Sequence, residues 1–402
     1  MIKKRLSNLA LPVLMAVVLS HQQAFTAPTS APEPEARVVT TKGNSFAMTS
    51  KACRDWQNFM FKQGHIEGGL KTDQLVVMRG NGDVLFDEAV APYRKNTRHT
   101  MWSVSKMITA TTAATAIQEG KLKLSDRLDQ FLPVEQRRNP EGQQEYRAVT
   151  VQNLISMTSG LKWSEHNGDE AKQASDLPLM YSQGYRDFTR YMTELDFESK
   201  PGKAWNYSSV NANLVMAILK KVYRGNYDKM PWKNLFTPLG IKTAAIEQDH
   251  SGLYIGGSYV NLSAEDMAKI GKLFLNDGVV NGKRILPKGW VEHAKTAEPA
   301  SLKKVHKRAD FADYGVFSKG GWWLNRPVPG VGKAHPNSPE TAMLSTGFLG
   351  QWLVVLPDEG LIIARTGHER DSERKIDKMI TGALACFSKQ TASAVAHRPA
   401  VR

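Results

Sequence analysis

Along the chain the spacing of apolar positions alternates between a helical and a strand period. Ala52, Trp56, Phe59 and Met60 fall at i, i+4, i+7 and i+8, which predicts an amphipathic helix ended by Gly64. Two short apolar runs, 74–78 and 84–87, then flank Gly80-Asn81-Gly82-Asp83 and predict a β-hairpin. Residues 105–119 are mostly Ala, Thr, Met and Ile and close at Gly120, so a helix approached on several sides is expected there. Thr150 can cap a helix over 151–157, and the chain stays helix-like to about Asp249, with loops at Gly160, Gly184 and Pro201-Gly202. Ser263 with Asp266 three residues later opens a further helix whose face carries Met267, Ile270 and Phe274. Beyond Gly320 the period returns to strands at 321–324, 351–356 and 361–366, the last two joined by Pro357-Asp358-Glu359-Gly360. A final helix puts Ile376, Met379, Ile380, Ala383, Leu384 and Phe387 on one stripe.

This order predicts an α/β fold in which an antiparallel sheet is flanked by N- and C-terminal helices, with an all-α lobe inserted at about 113–250. No repeat of 20 to 50 residues interrupts it. The apolar stretch from Leu9 to Leu19 stands behind Lys3, Lys4 and Arg5. It is too short to span a membrane and reads as a secretory signal over 1–27, so export is expected. Residues 28–44, with proline, glutamate and small residues, read as a flexible lead-in; 45–390 form the folded domain, and 391–402 a polar tail.

Composition narrows the function classes. The formal net charge is +14, but the basic residues are scattered and form no aromatic-interleaved stripe, which argues against a nucleic-acid partner. Two cysteines provide neither a disulfide scaffold nor a Cys-rich zinc module, and the ten histidines form no close ligand pair on a helix, so no metal is expected. The chain has no G-x-S-x-G, H-E-x-x-H or C-x-x-C, and Gly330-Val331-Gly332-Lys333 is not a complete phosphate loop.

What remains is Ser103-Val104-Ser105-Lys106, an S-x-x-K pattern that also occurs at Ser159/Lys162, Ser301/Lys304 and Ser372/Lys375. Context favours the first. Ser103 leads into the Ala/Thr-rich helix, so it and Lys106 share a face in the first turn, where the helix end favours negative charge developing on the serine. Lys106 would lie inside the body, where desolvation lowers its pKa toward a neutral amine able to take a proton. The alternative is a serine N-cap with a lysine snorkelling to solvent. Farther along, Pro201-Gly202 delivers Tyr207-Ser208-Ser209 at the start of a helical run. A tyrosine beside a lysine can act as a phenolate-like base or a proton relay, and the alternative is a core tyrosine whose hydroxyl caps the helix.

Taken together, Met101-Trp102-Ser103-Val104-Ser105-Lys106, the 151–161 helix and turn, and Tyr207-Ser208-Ser209 resemble the serine β-lactamase and penicillin-binding-protein superfamily in its class C branch, over about residues 45–387. The resemblance implies Ser103 as acylating nucleophile and Lys106 and Tyr207 as the proton-transfer pair, with no cofactor. Ser209 stands where the lactamases usually have asparagine. For the family's Lys-Thr-Gly strand, Arg365-Thr366-Gly367 is an imitation, while topology favours Ser345-Thr346-Gly347. On that alignment the Ser345 N–H would join that of Ser103 as an oxyanion hole, and the family's cationic lysine has no counterpart. The tract 346–351 and the Tyr-Ser-Ser variant look more like 6-aminohexanoate-dimer hydrolases and related esterases. The implied function is hydrolysis of small amides or esters. A cell-wall peptidase, DD-carboxypeptidase or β-lactamase is the rival among enzymes, and a catalytically silent module binding peptidoglycan or a protein is the rival outside them. Cys53 and Cys386 lie on helices that pack side by side in the family fold, so a disulfide between them is an open expectation, two free thiols being the alternative.

Overall fold

The computed structural model describes residues 38–39, 50–61, 68–165, 176–181, 184–305, 314–370 and 372–387. The expected signal segment and polar tail lie outside them. The first strand, β1 (Val38–Val39), falls within the stretch read as a lead-in and pairs antiparallel with Ala89 and Val90. Helix α1 (Lys51–Phe61) and the hairpin β2 (Thr72–Arg79) and β3 (Val84–Val90) follow. A short β4 (His99–Thr100) leads into the central helix α2 (Val104–Gln118).

The inserted lobe contains α3 (Val151–Ile155), α4 (Ser209–Tyr223) and several shorter helical segments. After it come β5 (Ala245–Ile246), β6 (Val260–Leu262) and α5 (Ala264–Leu275). The chain then returns to the sheet through β7 (Val316–Phe317), β8 (Trp323–Leu324), β9 (Met343–Gly347), β10 (Gln351–Leu356) and β11 (Leu361–Gly367), and closes with α6 (Ile376–Phe387). The main sheet is antiparallel throughout, in the order β1-β3-β2-β11-β10-β9-β8-β7. The N-terminal hairpin and the C-terminal strands are thus joined where β2 pairs with β11. A second, small sheet runs β4-β6-β5.

The central strands are apolar at nearly every position because both faces of the sheet are covered. On β10, Leu353 and Val355 enter the core shared with α2, α5 and the lobe, while Trp352, Val354 and Leu356 enter the one shared with α1 and α6. Leu361 and Ile363 alternate with Ile362 and Ala364 in the same way on β11. One strand differs from expectation: the run at 321–324 forms a strand only at Trp323–Leu324. Met343–Gly347, expected from the resemblance and not from any period-2 signal, pairs with β10.

Helix α2 is buried on all sides from Val104 to Ala116, as its composition predicts. Its threonines enter the core because their hydroxyls find carbonyls, the helix's own for Thr111 to Met107 at 2.9 Å, Thr112 to Ile108 at 2.8 Å and Thr115 to Thr112 at 2.7 Å, and that of Gly256 for Thr109 at 2.8 Å. On the opposite face a disulfide joins Cys53 of α1 to Cys386 of α6, with Cα atoms 4.7 Å apart. Among the described residues no helix is long and apolar enough to cross a membrane.

Candidate active site

Ser103 is the residue from which α2 starts, and its side chain does not cap the helix. Its position is set by the turn before it. Met101 N–H donates to Val260 O, tying the turn to β6, and Trp102 takes a left-handed φ of 47° that is costly for a bulky side chain. Trp102 is held there by edge packing on Phe348 at 5.5 Å and by Tyr259 at 6.0 Å. The end of β9 closes on the same turn: a Cβ on Gly347 would lie 2.3 Å from the Met101 carbonyl oxygen, so only glycine permits this approach.

Lys106 does not snorkel to solvent. It is 5% exposed, and its Nζ lies 3.0 Å from Ser103 Oγ, 3.0 Å from the Gly257 carbonyl oxygen and 3.1 Å from Glu165 Oε1. The same nitrogen sits 4.9 Å from the centroid of the Tyr207 ring. Tyr207 is hydrogen-bonded to both Ser103 and Lys106, and its ring stacks on Trp323 at 5.7 Å. Ser208, not the tyrosine hydroxyl, caps α4, accepting from the Asn211 N–H. The structure therefore brings Ser103, Lys106 and Tyr207 together.

Glu165 is a member of this site that sequence reasoning missed. Its carboxylate pairs with Lys106 and accepts from the Ser209 N–H at 2.8 Å, the Ser209 hydroxyl and the Trp163 indole N–H. Neither periodicity nor motif marks this loop carboxylate. The usable signal is that a lysine buried in the core needs a counter-charge.

Glu165 also corrects the expectation for Lys106. Burial pushes the ammonium toward its neutral form, but the Glu165 charge, Tyr207 and the hydrogen bonds of both more than reverse this, and the pKa stands above its ordinary value. Burial would raise the Glu165 carboxyl, yet Lys106 and the Ser209 and Trp163 donors hold it below the usual range. Tyr207 is raised, chiefly by burial; Lys106 works against that shift and Glu165 with it. At neutral pH the cluster is thus an ammonium, a carboxylate and a phenol.

Ser209 faces Glu165 from the first position of α4 and is buried. Ser345 is buried on β9, opposite Leu353, on the strand whose Gly347 end abuts the nucleophile turn. Arg365 is kept from the pocket: it is fully buried, donates to Thr72 Oγ1 at 2.9 Å, Gly350 O at 2.6 Å and Lys71 O at 2.8 Å, and lies 4.4 Å over the Trp352 ring. The other S-x-x-K serines are engaged in structure. Ser159 donates to Asn211 Oδ1, Ser301 accepts from the Phe317 N–H, and Ser372 donates to the Glu369 carbonyl.

Among the described residues one group has metal-ligand character: Asp73, His99 and His368, with donor atoms within 4.8 Å of one another. Both rings hydrogen-bond the same Asp73 oxygen, at 3.1 Å and 2.5 Å. These contacts tie β2, β4 and the end of β11 together, so the ligand atoms are already used.

The sequence model of the family described as Beta-lactamase matches residues 58–381. A 6-aminohexanoate-dimer hydrolase from Paenarthrobacter ureafaciens is 26% identical over 230 residues, covering 55% of this chain and 56% of that protein. The chain thus spans little more than half the length of this curated relative. Among solved structures, a penicillin-binding protein homolog from Caulobacter crescentus superposes with a TM-score of 0.62 at 15% identity, covering 87% of this chain and all of that one. A family VIII carboxylesterase also gives 0.62 at 15% identity, over 86% of this chain and 99% of its own. At such identities the two structures attest the fold.

Proposed function

The chain belongs to the Beta-lactamase family, and on that premise we propose that it is an exported serine hydrolase that cleaves small amides or esters through an acyl-enzyme on Ser103. The observation that carries this reading is the contact of Lys106 Nζ with Ser103 Oγ at 3.0 Å, made at the start of a buried helix with the Tyr207 ring alongside. In the reactive form the Tyr207–Lys106 pair has given up one proton to solvent, and as Ser103 Oγ attacks the substrate carbonyl its proton passes to that pair. Backbone N–H groups of Ser103 and Ser345 receive the oxyanion, aided by the positive end of α2. The C–N or C–O bond then breaks as the leaving group takes that proton. Water attacks the resulting ester, the Oγ–C bond breaks, and the serine recovers its hydrogen.

The relative named a 6-aminohexanoate-dimer hydrolase acts, by its name, on a linear amide, and the carboxylesterase shares the fold. The charge distribution supports substrates of that kind over penicillins and cephalosporins. β-Lactam antibiotics carry a carboxylate beside the scissile ring, which the Lys-Thr-Gly lysine of the family helps bind. Here Met343–Gly347 carries no cation, and Arg365 is committed to carbonyls inside the sheet. A missing charge-assisted contact is worth about 1.5–3 kcal/mol, a factor of about ten to a hundred in rate. Export draws support from the basic and apolar opening of the sequence and from the disulfide between Cys53 and Cys386, a bond that persists in oxidising compartments.

The test compares kcat/KM for a p-nitrophenyl ester, the linear 6-aminohexanoate dimer and nitrocefin, each with the wild type and Ser103→Ala. The expected order puts nitrocefin last, with turnover abolished in the variant. Efficient nitrocefin hydrolysis with the other two poor would make the protein a true β-lactamase, and wild-type rates in Ser103→Ala would remove the nucleophile.

A further inference from the structure

We propose that Phe348, beside Trp102 and Tyr259, forms an aromatic rim that receives the acyl chain of the substrate and selects apolar acyl groups. This rests on the reading of Ser103 as nucleophile.

A lone exposed phenyl needs no explanation on a protein surface. Phe348 differs in where it stands and in how it is held. It is 37% exposed, and its ring meets that of Trp102, the residue before Ser103, at 5.5 Å with the planes at 89°. Tyr259 packs on the same Trp102 at 6.0 Å, and both of these residues are half-buried. The three side chains thus form one apolar border that begins at the residue preceding the nucleophile.

The turn that carries Phe348 is fixed at each residue. Gly350 N–H donates to Gly347 O at 3.2 Å, Gln351 Nε2 to Phe348 O at 3.3 Å, Glu369 N–H to Leu349 O at 3.1 Å and Arg365 Nη1 to Gly350 O at 2.6 Å. Leu349 is held at a left-handed φ of 62°, which a leucine disfavours. At the two ends, a Cβ on Gly347 would lie 2.3 Å from the Met101 carbonyl oxygen, and one on Gly350 would lie 2.1 Å from Arg365 Nη1. The Arg370 guanidinium stands 5.6 Å over the phenyl ring and adds a cation–π contact. A ring on so constrained a turn is in place before substrate arrives, so contact with it costs little ordering.

Four groups surround the tetrahedral carbon formed by attack: Ser103 Oγ, the oxyanion, the leaving atom and the acyl chain. The oxyanion is turned to backbone N–H groups. The leaving atom must reach the Tyr207–Lys106 pair for its proton, and Tyr207 has ring neighbours of its own, Trp205, Phe317 and Trp323. The acyl chain is the substituent left for the border of Trp102 and Phe348. An alkyl chain laid there leaves water, which is worth about threefold in kcat/KM for each methylene covered.

The test is the dependence of kcat/KM on acyl length for p-nitrophenyl acetate and butyrate, each divided by its rate of alkaline hydrolysis to remove intrinsic reactivity. Wild type should favour butyrate over acetate by about tenfold. Phe348→Ala should bring that ratio to about threefold or less, and Phe348→Leu, which restores apolar surface, should keep most of it. The corresponding ratio for the alcohol, butyl over methyl butyrate, should not respond to Phe348→Ala. A butyrate-to-acetate ratio near one in wild type, a reading that needs no variant, would overturn the proposal. So would an unchanged acyl ratio in Phe348→Ala, or a fall in the alcohol ratio in its place. Undiminished hydrolysis by Ser103→Ala, or no hydrolysis of any of these esters by wild type, would instead bring down the nucleophile assignment.

Discussion

Two buried cations, Lys106 and Arg365, each sit in a motif that resembles a catalytic one, and their surroundings differ in kind. Lys106 is ringed by groups that can exchange protons: a serine hydroxyl, a carboxylate and a tyrosine. Arg365, a guanidinium that keeps its protons, is spent on structural partners: the Gly350 and Lys71 carbonyls, the Thr72 hydroxyl and the Trp352 ring, with Glu369 at 3.7 Å. Burial pushes the Arg365 guanidinium down to about 10, so it stays charged at neutral pH and serves as a fixed clamp between β11, the start of β2 and the turn at Gly350. Burial of a cation is therefore not itself a mark of catalysis; what separates the two is that Lys106 can give up a proton and touches Ser103, whereas Arg365 keeps its charge and holds backbone carbonyls in place.

The contrast can be broken at either end. The largest effect belongs to the lysine side: Lys106→Ala and Tyr207→Phe should each lower kcat/KM by about three orders of magnitude or more, because the serine, lysine and tyrosine act as one unit. Loss of less than about tenfold in both would place the proton transfer elsewhere. Replacing both Cys53 and Cys386 by alanine tests the scaffold. Their bond closes a loop with a sequence separation of 333, and its loss should cost about 6 kcal/mol in urea unfolding on the chain-entropy account, with turnover of the folded enzyme kept. Arg365→Met should lower stability by about 3 kcal/mol, since it strands two buried acceptors and a part-buried one, yet change kcat/KM of the folded fraction by less than about tenfold. Unchanged stability with activity lost by orders of magnitude would put Arg365 in the site and erase the contrast. Alanine at Ser159, Ser301 or Ser372 should have the smallest effect on turnover, within about twofold, since those hydroxyls are engaged with backbone or side-chain partners and not with Lys106.

The two cations also mark how far the sequence could be read. Helices α1 and α6 were legible because each keeps one apolar stripe, whereas α2, the β2–β3 hairpin, β10 and β11 were legible as apolar runs bounded by turn residues. Met343–Gly347 was too short and too polar to register by periodicity, although its neighbours in the sheet bury it completely. In the site, Ser103, Lys106 and Tyr207 were legible because three weak motifs occur in one order. Glu165 was not, because its role exists only where the loop after Gly160 meets the first turn of α4. Arg365 was ambiguous for a related reason: Arg-Thr-Gly imitates Lys-Thr-Gly in letters, and only the pairing of β11 with β2 shows that its side chain is spent inside the sheet.

The most direct measurement of the central claim is where a serine-reactive probe attaches. Intact-mass analysis after fluorophosphonate treatment, followed by peptide mapping, should find one adduct per chain, on Ser103, and none in Ser103→Ala or in protein denatured before labelling. An adduct on Ser159, Ser301 or Ser372, or no adduct on the native protein, would contradict the account.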